Sequence, residues 1–329
     1  MRTVQTLTAS LVAIATHAQC VQSDLGFDPL QRNARTSEVA FLSSGLVTVG
    51  MPMLPNGVEF SRGVNVSRID AAGTMLWFKH LLPTNPDISM VSAQVAATLD
   101  GGVVVCGDLD HGTPIPRYHN QYLVKLDASG QVQWSRIYML LDTTNALGGF
   151  DFRGHRAVEI AALAAGGYAW QFRNERQLHH VTLDPNGMPV SCRMYVDHDL
   201  IHQRGVSAIH PDGSWFHGYF GDSVLFSAGA FGYFIADASG AVQVARRAQA
   251  PYASGYVTDA LALSNGDHLL CGVSATGALF RIDAAGQLLW RRESWWPEEA
   301  VELPDGTILG KHASRLLQFT SDGYSMNSW

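Results

Sequence analysis

The stretch Tyr122-Leu-Val-Lys-Leu126, Asp127-Ala-Ser-Gly130, Gln131, Val132-Gln-Trp-Ser-Arg-Ile-Tyr138 reads as a strand, a tight corner and a second strand. Apolar and polar residues alternate on both sides of the corner, as expected of half-buried antiparallel strands, and Gly130 supplies the positive φ that such a corner demands. The corner recurs. Asp70-Ala-Ala-Gly73, Asp184-Pro-Asn-Gly187, Asp237-Ala-Ser-Gly240 and Asp283-Ala-Ala-Gly286 are further copies, and Thr320-Ser-Asp-Gly323 is a degenerate one. Self-similarity of this kind marks a repeat architecture.

Working outward from Asp127, residues 91–99 read as a first strand, Asp100-Gly101-Gly102 as its turn and 103–107 as a second strand, so the unit has four strands. The first turn has its own register, repeated at Ser44-Gly45, Ala165-Gly166-Gly167, Asp212-Gly213, Asn265-Gly266 and Asp305-Gly306. Four antiparallel strands per repeat make a propeller blade, and the runs between turns lack the helical period that an α-solenoid needs. The expected fold is therefore all-β, a single β-propeller with blades at about 36–80, 91–138, 155–195, 205–247, 256–293 and 298–329. Six blades is the simplest count and seven the alternative, with residues 19–35 an N-terminal segment available to close the ring.

The 329 residues are 47% hydrophobic, enough for a core, and only 16% charged, below the roughly 25% usual in soluble domains. A formal net charge of -7 argues against a nucleic-acid partner, which needs a surplus of Lys and Arg on one face. Arg2, the apolar run 7–15 and Thr16-His17-Ala18 read in order as the parts of an export signal, with cleavage expected after Ala18. Gln19 before Cys20 is not the small residue that a lipidation site wants. No later run reaches the ~18 apolar residues of a membrane span. The mature chain is expected to be secreted or periplasmic, at the cell envelope, and monomeric.

Cys106 and Cys271 fall at matching places in nonadjacent repeats, too far apart to bridge, and read as small core residues. Cys192 lies on a different strand of a third repeat, so no disulfide framework is expected. Trp77, Trp134 and Trp290 each follow the closing Gly at the same interval. A Trp recurring at one repeat position fills the seam between blades, and as a core residue its truncation would cost about 3–5 kcal/mol. The structural set is thus Trp77, Trp134, Trp290 and the closing Gly73, Gly130, Gly187, Gly240 and Gly286.

Leu123-Val-Lys-Leu-Asp127-Ala-Ser-Gly130-Gln-Val-Gln-Trp134 and Leu279-Phe-Arg-Ile-Asp283-Ala-Ala-Gly286-Gln-Leu-Leu-Trp290 resemble the quinoprotein-like (PQQ-like) propeller repeat, and residues 36–329 are covered by the pattern. The same pattern is similar to repeats of secreted bacterial proteins. The resemblance implies a propeller shared by many functions. Its dehydrogenase members have eight blades, an adjacent cysteine pair and a calcium site beside the quinone, whereas here six blades are visible and no two Cys are adjacent. Neither that activity nor any cofactor is expected.

In each blade the first and third turns share one end and the remaining connections the other. The second end collects the long segments 51–63, 108–121, 139–154, 196–204, 221–232 and 294–297. Varied loops on a rigid scaffold are where binding resides. Asp108, Asp110 and His111, His155, and His198, Asp199 and His202 would bring oxygen and imidazole groups there, although no complete metal-ligand spacing occurs and no metal is expected. His179 and His180, adjacent on a strand, point to opposite sides. Trp295 and Trp296, followed by Glu298 and Glu299, would form a stacking platform or plug the channel. No nucleophile elbow, zinc-protease or phosphate-loop motif is present. These readings favour an exported, noncatalytic scaffold that binds an envelope or extracellular protein or glycan, with a polysaccharide hydrolase or lyase as the alternative.

Overall fold

The computed structural model describes residues 34–42, 44–52, 63–85, 87–90, 93–110, 120–139, 156–173, 177–196, 205–221, 230–249, 255–274, 278–293, 297, 299–303, 305–312 and 315–328. Every regular element among them is a strand, and six successive four-stranded antiparallel sheets are the blades of a β-propeller.

Blade one is β1 (Ala34–Leu42), β2 (Gly45–Pro52), β3 (Val64–Asp70) and β4 (Met75–Leu81). Blade two opens with β5 (Ser89–Met90) and β6 (Gln94–Ala97), which both pair with β7 (Val103–Asp110) as one interrupted strand, then β8 (Asn120–Leu126) and β9 (Val132–Met139). Blade three is β10 (Arg156–Ala162), β11 (Tyr168–Arg173), β12 (Gln177–Leu183) and β13 (Pro189–Val196). Blade four is β14 (Gly205–Ile209), β15 (Trp215–Gly221), β16 (Ala230–Ala236) and β17 (Val242–Gln249). Blade five is β18 (Gly255–Ala262), β19 (His268–Ser274), β20 (Ala278–Ile282) and β21 (Leu288–Glu293). Blade six is β22 (Glu299–Glu302), β23 (Ile308–His312), β24 (Arg315–Phe319) and β25 (Ser325–Ser328). Ala34 and Arg35 thus belong to the first strand. The expected signal segment lies outside the described residues.

The Asp-to-Gly corners share one hydrogen-bond pattern. Gly130 N–H donates to the Asp127 carbonyl at 3.0 Å and Asp127 N–H to the Gln131 carbonyl at 2.9 Å, while Asp127 Oδ1 accepts from the amides of Ser129 and Gln131. This is a type I turn closed by a left-handed residue, and Gly130 sits there at φ 79°. Beyond the corner the register of β8 and β9 slips by one, from Leu126 opposite Val132 to Lys125 opposite Trp134. The same slip recurs in blades one, four, five and six. A bulge of this kind bends the outer strand and re-aims the residue after it.

The chain forms two compact units: Met1–Ala162 with Gly166–Tyr168 and Leu183–Val190, and Leu163–Ala165 with Ala169–Thr182 and Ser191–Trp329. In the first, Trp77 stacks on Gly130 and donates from Nε1 to the Ala128 carbonyl at 3.0 Å. Trp134 repeats this on Gly187 and the Pro185 carbonyl, also at 3.0 Å. Val47 and Val66 of blade one share a core with Val105 and Val124 of blade two. In the second unit Trp290 lies on Gly323 and donates to the Ser321 carbonyl at 3.2 Å, Val244 covers Gly286, and Arg193 and Tyr195 cover Gly240. Phe216 and Ile235 of blade four meet Leu270 and Ile282 of blade five, and Leu269 and Leu279 meet Leu317 and Phe319 of blade six.

The third strand departs from the half-buried reading. Residues 121–126 are buried without interruption, because a blade in mid-array is covered on both faces. The one charge in that run, Lys125, is buried with its ammonium on the Asp100 carboxylate at 2.9 Å and the Leu126 carbonyl. Burial opposes ionisation of Asp100, but hydrogen bonds from Thr98, Lys125 and Gly102 outweigh it and hold its carboxyl at about 2.

Candidate functional site

The first strand of each blade has one unpaired edge, and unpaired strand amides need acceptors. Within the first unit β1 lies beside β6, and β6 beside β10. The carboxylate of Glu38, on β1, accepts the Val95 amide of β6 at 3.0 Å, and the Gln94 amide on β6 reaches the Val158 carbonyl of β10 at 2.6 Å. Glu159 follows on β10. Directly opposite Gln94 on β7 is Cys106, whose thiol is held well above its ordinary range by burial and then by the charges of Glu38, Glu159 and Asp108.

The second unit repeats the device. There β14 lies beside β18, and β18 beside β22. Asp259, on β18, accepts the Ala300 amide of β22 at 2.8 Å, and Cys271 stands opposite it on β19. Burial raises the Asp259 carboxyl to about 7; the Ala300 bond opposes the rise and the neighbouring Glu299 charge adds to it. Glu299 itself is exposed and faces the Lys311 ammonium at 3.5 Å. Both Glu38 and Asp259 follow a one-residue slip in strand pairing, between Thr36 and Glu38 and between Val257 and Asp259.

Five described histidines of the second unit, His179, His180, His210, His217 and His268, are packing elements. His179 stacks on Phe172 at 4.7 Å, while its neighbour His180 stacks on Trp215 of blade four at 5.0 Å and bonds Gln171. His217 is bound to Ser207 Oγ at 2.7 Å, and His268 stacks on Phe216 and bonds His210 at 3.1 Å. Burial lowers His180 to about 4, His217 to about 3 and His268 to about 4, so these imidazoles are neutral near pH 7. Among the described residues no group of three or more His, Cys, Asp or Glu is placed to hold a metal ion.

Of the binding residues expected from sequence, Asp108 is not in a loop. It is buried on β7, where its Oδ1 accepts from the Gln121 amide on the facing position of β8. Asp110 ends the same strand, its backbone opposite Ser89. The connection between these strands is therefore 111–119, shorter than the expected 108–121, because the ladder continues past Gly107. His111, His155, His198, Asp199, His202, Trp295 and Trp296 lie outside the described residues. Glu38, Gln94, Glu159 and Asp259 were not singled out from sequence. Their signal is positional: each precedes the residue that opens the first turn (Leu42, Thr98, Leu163, Leu263) by the same interval.

No protein-family model matches the chain, and no curated protein sequence matches it significantly. Solved structures do match in fold. A catalytically inactive virginiamycin B lyase from Staphylococcus aureus with quinupristin superposes with a TM-score of 0.55 at 10% identity, over 90% of this chain and 84% of that one. The Dos1 propeller gives 0.54 at 12% identity, over 94% and 74%. A protein from Lactobacillus plantarum gives 0.54 at 12%, over 89% and 84%. Likeness at such identity establishes the propeller and nothing about activity.

Proposed function

We propose that the chain is an exported, noncatalytic propeller that binds an envelope or extracellular protein or glycan through the connections opposite its Asp-to-Gly corners. The observation that carries this reading is the contrast between the two ends of the blades. At one end the same corner bonds recur at Asp70, Asp127, Asp184, Asp237, Asp283 and Thr320. At the other, the strands are joined by segments as different as 53–63, 111–119, 140–155, 222–229 and 275–277. A uniform end serves construction, whereas a varied one serves recognition. Occupation of His180, His217 and His268 in packing also favours binding over imidazole-based catalysis. Export rests on the 1–18 segment, and the quinoprotein-like character of the repeat on residues 123–134 and 279–290.

The carboxylates of the first strands, Glu38 and Glu159 in one unit and Asp259 and Glu299 in the other, support a second reading, cleavage of a polysaccharide by acid–base chemistry. One experiment separates the two. The mature chain, and a variant with 111–119 replaced by a short Gly-Ser link, are tested for binding to arrayed envelope glycans and purified envelope proteins, with polysaccharide turnover measured in parallel. Loss of binding in the variant at an unchanged thermal midpoint is the expected result. Equal binding by both chains discards the loop-rich face, and turnover abolished by Glu38→Gln moves the assignment to the second reading.

A further inference from the structure

Two imidazoles meet where the first turns of blades four and five come together. Nε2 of His210, which opens the turn after β14, lies 3.1 Å from Nδ1 of His268, the first residue of β19, with the rings edge to face at 4.8 Å. Both side chains are buried, and Phe216 of β15 stacks on His268 at 4.8 Å. Nε2 of His268 meets no hydrogen-bond partner among the described residues. The charges around the pair are themselves occupied. Asp212, whose charge acts on His210, accepts from Ser214. Asp267, beside His268, holds the Arg281 guanidinium of β20 at 2.8 Å, and Asp283 accepts the Gln287 amide. β14 carries no titratable side chain, and β15 brings His217, bound to Ser207, and Tyr219, packed on His217. The Tyr233 hydroxyl of β16 donates to the Gly286 carbonyl, and Cys271 of β19 is held protonated by burial. Asp259 of β18 is on the Ala300 amide, while on β22 Glu302 is on Ser264 and Glu299 faces Lys311.

We propose that this bridge is an acid-opened clasp: it closes the first-turn end of the junction between blades four and five while one proton lies between the imidazoles, and parts when a second proton arrives there. Of two facing ring nitrogens, one must donate and the other accept. The first proton taken up by the pair leaves that arrangement intact. His210, facing the Asp212 charge, carries the cation and donates from Nε2 to a still neutral His268. The second proton breaks it, because N–H groups then stand on both facing nitrogens, and the Nε2–H of a cationic His268 is enclosed without an acceptor. Two enclosed like charges repel, and parting into water relieves both. Burial and then the His210 charge hold His268 down to about 4 against the opposing pull of Asp267 and Asp283, in agreement with this order. The sign follows from linkage: with a parted imidazole near its ordinary 6.5 and the closed one near 4, the open junction binds more protons, so closure weakens as pH falls through that window and the loss levels off below it.

The test uses the full chain with isotope-labelled histidine, titrated from neutral to acid pH. NMR of the imidazole nitrogens reads the charge on each ring, and hydrogen exchange, corrected for its intrinsic rate, reads the turns 210–214 and 263–267. Protection of both turns is expected to fall by up to about tenfold per pH unit for each imidazole that charges, and to do so before that of β23 in blade six. His268→Asn places an amide where Nδ1 stood and does not titrate, so the fall at the turns is expected to lessen by that increment. His210→Gln keeps a donor and an acceptor at the place of Nε2 without a charge, and is expected to move the His268 titration to higher pH. Protection that falls equally in wild type and His268→Asn, or in step at the turns and β23, overturns the clasp. Where His268→Asn does not fold, a His268 titration unmoved in His210→Gln overturns it equally.

Discussion

Removing the Trp134 indole tests how successive blades are coupled. The ring is half-buried on β9, not enclosed, so its cost belongs at the lower end of the roughly 3–5 kcal/mol appropriate to a core Trp. Halving the roughly 150–250 Å² of an aromatic side chain and counting about 25 cal/mol per Å² gives about 2–3 kcal/mol. The Nε1–H bond to the Pro185 carbonyl and the edge contact with Tyr168 at 5.7 Å add about 1 kcal/mol between them. Trp134→Ala is therefore expected to cost about 3–4 kcal/mol in urea unfolding. Its coupling to Gly187 discriminates further. A Cβ at Gly187 would stand 2.8 Å from the indole on a backbone at φ 78°, so Gly187→Ala meets both a clash and left-handed strain. The strain alone is worth about 1–2 kcal/mol, and overpacking adds about 1–3 kcal/mol. Only the clash disappears when the indole is absent. The double variant should be more stable than the sum of the single costs by about 1 kcal/mol or more. Additivity within about 0.5 kcal/mol would refute stacking of Trp134 on the next corner.

Histidine burial makes the fold acid-sensitive. For His180, His217 and His268 the folded pKa is depressed, so the unfolded chain binds more protons as pH falls from about 6.5 towards 4, and each removes about 1.4 kcal/mol per pH unit across that window. His217→Gln should flatten the measured slope of urea stability against pH by one such increment; an unchanged slope would place His217 in water. Asp100 works at lower pH: its folded carboxyl lies near 2, so its contribution is present above about 3.8 and lost as pH falls through 2, and Asp100→Asn should remove that loss from the acid limb. Thiol labelling of the native chain should modify exposed Cys192 and spare Cys106 and Cys271 until denaturant is added, as peptide mapping would show. Early modification of Cys271 would contradict its enclosure behind β18.

The corners were legible because their chemistry leaves little choice: a left-handed corner takes Gly, and an Asp whose side chain accepts the next amides stabilises the turn before it. Blade number followed from counting them. Strand burial was misread for a physical reason. Alternation as in Tyr122-Leu-Val-Lys-Leu126 ordinarily marks one wet face, but Lys125 is a buried cation whose partner, Asp100, lies on a different turn of the blade. Pattern alone does not distinguish a solvated Lys from a paired one.

The bridging carboxylates were hidden differently. Glu38 and Asp259 differ in type, and each is unremarkable in its own strand. What unites them is a backbone need: the edge amides of Val95 and Ala300 lack a ladder partner, and an acidic side chain one blade earlier supplies the acceptor. A repeat aligned on its long Asp-to-Gly corner does not expose that need, because the relevant register belongs to the first turn. It follows that blades one and five are constrained at both edges by different means. In both, the outer strand is held by an indole on the next corner and the inner strand by a carboxylate on the next amide. Substitution at either edge should then be felt in the following blade before it is felt in its own.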